Sequence, residues 1–142
     1  MNNNKGTILK IDLDIKTKSK SILLLKERLQ FLINVNLIKI GFIDKIELIK
    51  KDNFSCKIYI NKIIEDEIFL ILFQSILGDD WKRTAITLRD KRLKIRNWNR
   101  LFDVKKYTNG ELKEAIYFDM TENILSKLKT LDDLKIERLK NK

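Results

Sequence analysis

The stretch TILKIDLDI, residues 7–15, alternates cleanly from Leu9 onward. Leu9, Ile11, Leu13 and Ile15 point one way; Lys10, Asp12 and Asp14 point the other. A two-residue period of this kind marks a strand with one buried face and one wet face. The period then changes. Over residues 18–34, Ile22, Leu25, Leu29, Leu32 and Ile33 share one side of a helix, with Lys20, Lys26, Glu27 and Gln30 elsewhere. Residues 38–50 return to strand character, with Gly41 as a point for a bend. Lys51-Asp52-Asn53 is a turn signal. Beyond it Phe54, Cys56, Ile58 and Ile60 alternate with Ser55, Lys57, Tyr59 and Asn61, a third strand.

Downstream, the acidic triplet Glu65-Asp66-Glu67 suits the positive end of a helix dipole. Ile68 to Leu77 is apolar almost all round, which predicts a helix at the buried centre. Gly78 supplies a left-handed stop, and Asp79 or Asp80 caps a further helix over residues 81–96. Residues 101–108 and 111–118 read as a hairpin around Asn109-Gly110. That loop sets Lys105 opposite Glu114 and Phe102 opposite Tyr117. Asp119-Met120-Thr121-Glu122 resembles a capping box. It opens an amphipathic helix bearing Ile124, Leu128, Leu131 and Leu134.

The order β-α-β-β-α-(α)-β-β-α gives an α+β fold. Its first five elements follow the split β-α-β pattern of ferredoxin-like domains. The expectation is a single domain, 1–142, with a ferredoxin-like β-α-β-β-α core at 7–77. A basic helix plus hairpin occupies 80–119, and a C-terminal amphipathic helix or tail 120–142.

Composition narrows the chemistry. One cysteine, Cys56, leaves no internal disulfide or Cys-based zinc site, and its place in an alternating run reads as a buried small hydrophobe. Without histidine there is no Ser-His or Cys-His pair and no imidazole ligand. The four glycines are scattered, so no phosphate-cradling loop forms, and no cofactor is expected. The start, MNNNKGT, lacks an apolar signal core, and the run Ile68–Phe73 is too short to span a bilayer. A cytoplasmic protein with no membrane partner is expected.

Charge is concentrated. Five of seven arginines (Arg83, Arg89, Arg92, Arg96, Arg100) lie within 18 residues, in a chain where lysine is otherwise the default cation. Residues 82–106 hold ten Lys/Arg against Asp90 and Asp103, a net +8 of the chain's +10. Arginine's planar fork grips phosphate bidentately and stacks on bases, which lysine cannot match. On a helix, Trp81, Leu88 and Ile95 form one line, expected to face the domain. Lys82, Arg89 and Arg96 form the next line, a cationic stripe of roughly 21 Å.

A basic, aromatic-flanked segment suits DNA or RNA. The candidate contacts are Lys82, Arg83, Arg89, Arg92, Arg96, Trp98, Arg100, Lys105 and Lys106, with Trp98 as the stacking residue and Tyr59 as a further aromatic on the sheet. The expected role is non-catalytic binding, as in a viral or plasmid replication or packaging factor or a ribonucleoprotein component. The alternative is an assembly or adaptor module with an acidic partner or a second copy, using Ile124, Leu128 and Leu131.

Gly78-Asp79-Asp80 resembles the metal-binding turn of palm-type polymerases, whose core is also ferredoxin-like. That resemblance implies Mg²⁺-dependent nuclease or nucleotidyl-transfer chemistry on Asp79 and Asp80, with Asp12 and Asp14 as further oxygen donors. The turn should join two strands, whereas a helix follows here. A glycine stop and an aspartate cap account for the same residues, so no catalytic or metal residue is assigned. An i,i+4 contact with Lys94 accounts for Asp90.

Overall fold

The computed structural model describes residues 6–50, 52–101, 106–108, 111–113 and 116–140. The alternating stretch forms β1 (Thr7–Ile15), followed by α1 (Lys18–Asn34), β2 (Ile43–Lys50) and β3 (Phe54–Ile60). Two helices come next, α2 (Glu67–Ile76) and α3 (Trp81–Arg92). Short strands β4 (Lys106–Thr108), β5 (Glu111–Lys113) and β6 (Ile116–Asp119) precede α4 (Thr121–Leu125) and α5 (Leu131–Lys140). The fold is α+β, with a four-stranded antiparallel sheet in the order β1-β3-β2-β6.

Register follows the alternation. Leu9 lies opposite Ile58, and Ile11 opposite Cys56. Ile46 and Leu48 meet the same two β3 residues from the other side, and Leu48 also faces Phe118 of β6. These side chains share one face and form a core with Leu25, Leu29 and Leu32 of α1, Leu70 and Phe73 of α2, and Ile124 of α4. Cys56 is buried there, and burial pushes its thiol pKa up, as suits a packing residue.

The helix ends are chemically set. Asp66 accepts from the Ile68 and Phe69 amides and starts α2. Gly78, at φ +109°, ends it while the Asp79 amide reaches back to the Gln74 carbonyl. A Cβ at Gly78 would sit 2.9 Å from Leu24 Cδ2. Leu24 can shift, but the backbone conformation strains any L side chain. Gly78→Ala is therefore expected to destabilise by about 1–2 kcal/mol in urea unfolding.

Four expectations are corrected. The second strand starts at Ile43, because Ile40–Phe42 form a 3-10 turn at the Gly41 bend. α2 is not buried all round: Ile68, Phe69 and Leu72 are exposed, since core contact occupies only the Leu70–Phe73 side. The C-terminal helix is broken into α4 and α5. Ile124 and Leu128 belong to this chain's own core, so they form no partner surface in this fold; Leu131 is half-buried.

β4 and β5 pair Lys106 with Lys113 and Thr108 with Glu111, the register a two-residue loop dictates. Asn109-Gly110 and the expected pairs Lys105–Glu114 and Phe102–Tyr117 lie outside the described residues or involve one outside them. Tyr117 pairs with Ile49 across β2–β6.

Candidate nucleic-acid interface

The basic segment is oriented by the edge of the sheet. β1 pairs with β3 on one side, leaving amides and carbonyls on the other that need partners. The α2–α3 junction supplies them. The Lys10 amide donates to Gln74 Oε1 at 3.0 Å, and the Asp12 amide to Asp79 Oδ1 at 2.7 Å. In return, the Asp80 amide and Arg83 Nη1 donate to the Asp12 and Lys10 carbonyls at 2.7 and 2.9 Å.

Arg83 is the centre of this closure. It is 5% exposed and forms a 2.8 Å ion pair with Asp79, itself buried. Its remaining donors reach Asn99 Oδ1 and the Arg100 carbonyl. Gln74 and Asn99 exchange amide hydrogen bonds at 2.9 and 2.8 Å, and the Thr84 hydroxyl donates to Asp79. A buried charge held on every side fixes rotation, because turning α3 would strand Arg83 and Asp79 together.

α3 therefore buries the line Arg83, Thr87 and Asp90. This corrects the expectation for Trp81, Leu88 and Ile95. All three are exposed, Trp81 to 73%. The amides and carbonyls of the β1 edge must be paired, and α3 meets them only with Arg83 turned inward.

α3 also ends earlier than its periodicity suggests. The Lys94 amide returns to the Lys91 carbonyl and the Ile95 amide to the Asp90 carbonyl, with Lys94 at φ 59°. That is a Schellman stop. Ile95 and Arg96 consequently fall beyond the helix, and the cationic row on α3 is Lys82, Arg89 and Arg92. Asp90, 1% exposed, accepts from Arg89 Nε and Nη2 and lies 3.6 Å from Arg100 Nη2. Arg89 and Arg100, rather than Lys94, are its ion-pair partners. Lys91 bridges to Glu67 of α2 at 2.8 Å.

The nine expected contact residues thus divide. Lys82, Arg89, Arg92 and Arg96 are exposed. Arg83 is structural, and Arg100 contributes its carbonyl to Arg83 and a guanidinium to Asp90. Trp98 is half-buried against the core rather than presented outward. Lys105 lies outside the described residues, and Lys106 begins β4. Tyr59 is half-buried on the sheet, 5.8 Å from the Lys45 ammonium.

Trp81 is the exposed indole that sequence reading placed in the core. Its signal was Arg83, Thr87 and Asp90 at i, i+4 and i+7, a second helical face whose partners were hidden elsewhere in the chain.

The carboxylates close the edge and cap helices. Asp79 takes bonds from Asp12, Arg83 and Thr84; Asp80 accepts from the Lys82 amide and starts α3. Burial raises the Asp79 pKa while Arg83 opposes the rise. Burial also raises that of Asp12, with neighbouring Asp14 and Asp80 adding repulsion. Asp14 accepts from Asn53 Nδ2 at 2.7 Å. Among the described residues no group of three or more His, Cys, Asp or Glu is arranged to hold a metal ion, and no helix is long and apolar enough to cross a membrane. No protein-family model, curated protein or solved structure matches this chain.

Proposed function

We propose that this protein binds nucleic acid, without chemistry, through the outward face of α3 and the residues that follow it. One observation carries the reading: Lys82, Arg89, Arg92 and Arg96 are exposed, whereas Asp90, the one acid between residues 81 and 96, is buried. Asp90, turned inward, pairs with Arg89 and Arg100, so the positive charge of the outward face rests on Lys82, Arg92 and Arg96. Phosphate is the partner such a surface neutralises best. The β1-β3-β2 order with its α1 connection supports a split β-α-β unit of ferredoxin-like type, to which β6 adds on the outer edge of β2. A cytoplasmic replication, packaging or ribonucleoprotein role suits a small binder of this kind.

Exposed Ile68, Phe69 and Leu72 favour a second reading, docking of an acidic amphipathic protein segment beside α3. Fluorescence anisotropy separates the two. Lys82, Arg92 and Arg96 are changed together to Glu, which leaves both Asp90 ion pairs in place. Wild type is expected to bind labelled oligonucleotides with affinity that falls as salt rises, by roughly 0.7–0.9 log units per phosphate contact per log unit of salt. The triple variant is expected to lose about two to three contacts from that slope. Wild-type binding weaker than about 100 μM at physiological salt would exclude the nucleic-acid reading.

A further inference from the structure

We infer that the nucleic acid taken by this surface is single-stranded, and that Trp81 stacks one of its bases; the inference rests on the function proposed above. Tryptophan is highly buried on average, so an indole left 73% exposed at the first turn of α3 calls for a cover. The rotation that buries Arg83, Thr87 and Asp90 turns it outward. Its surroundings match one kind of cover. Lys82 Nζ lies 5.6 Å from the centroid of the indole ring. At 100° per residue, Leu88 and Arg92 fall within about 20° of Trp81 around the helix axis, and Arg89 about 80° from it. The face therefore presents an aromatic plane, an aliphatic side chain and the cations Lys82 and Arg92, with Arg89 at its border held by Asp90.

A duplex exterior offers phosphates and groove edges, while its base faces are stacked inside. It would meet the cations and leave Trp81 and Leu88 wet. A single strand exposes base faces and phosphates side by side, and an aromatic platform within a cationic track is what it binds. Stacking tolerates any base, so little sequence preference is expected.

The test uses the full chain and three probes: a short labelled single strand, a blunt duplex of the same length, and an acidic amphipathic peptide. Trp98→Phe leaves Trp81 as the sole tryptophan. Its fluorescence is expected to quench on adding single strand. Trp81→Ala removes an exposed ring and spares the core. It is expected to weaken single-strand binding about 5- to 150-fold and to leave duplex binding within about twofold. Unchanged single-strand affinity in Trp81→Ala, or tighter duplex binding by wild type, would overturn the inference while leaving nucleic-acid binding intact. Binding of the peptide alone, lost in Trp81→Ala, would overturn both and assign the face to a protein partner.

Discussion

Arg83→Leu is expected to lower the melting temperature by on the order of 10 °C. The guanidinium is buried, and its 2.8 Å partner Asp79 is buried with it. Removing one member leaves the other charge without compensation, which costs about 3–5 kcal/mol. The Lys10 and Arg100 carbonyls and Asn99 Oδ1 lose the same donor group. The loss should depend on pH. Burial raises the Asp79 pKa, and Arg83 is the main influence holding it down. In the variant that pKa moves further above the unfolded value. A carboxyl whose folded pKa is raised binds its proton more tightly in the native state, so stability rises as pH falls through that pKa. Arg83→Leu should therefore recover part of its deficit as pH falls from neutral toward the ordinary carboxylate range, read by urea unfolding over a pH series. A variant melting within about 2 °C of wild type, with no pH dependence of the difference, would show that this pair does not set the rotation of α3.

That rotation is also where sequence reading stopped. The alternation of β1 and β3, the acidic start of α2, the glycine stop at Gly78 and the cap at Asp80 all follow from interactions within a few residues, and each was legible. The orientation of α3 depends instead on Lys10 and Asp12, some seventy positions away. Counting apolar residues favours burying Trp81, Leu88 and Ile95. The unpaired edge of β1 reverses the outcome, because it needs two donors and two acceptors and α3 brings part of that set. Gln74, a lone amide inside an apolar run, was the visible trace of this demand: a buried amide must have partners, and it has Lys10 and Asn99. The basic cluster was legible as charge. Which of its members face solvent was not, because Arg83 and Arg92 are indistinguishable until the edge they serve is known.

The C-terminal segment poses the same question of inside or outside, and Ile124→Ala answers it. Ile124 is 0% exposed and sits in the main core with Leu128 and Met120. α4 is fastened there by two bonds to β2: the Met120 amide donates to the Ile46 carbonyl, and the Ile46 amide to Thr121 Oγ1. Gln30 of α1 holds the segment beyond, exchanging bonds with the Lys129 amide and carbonyl at 2.8 and 3.0 Å. Removing three methyl-sized carbons from so closed a site should cost about 2–5 kcal/mol, or on the order of 10 °C in melting temperature. Oligomeric state measured by light scattering should not change. Leu139→Ala is the control: at 70% exposed it should stay within about 0.5 kcal/mol of wild type. If Ile124 instead served an interface between copies, its truncation would dissociate an oligomer while leaving the separated chain's unfolding curve unaltered. The geometry predicts the opposite pattern, since Ile124 is already fully buried in the core of its own chain. A partner is then sought on the outward face of α3, not on the tail.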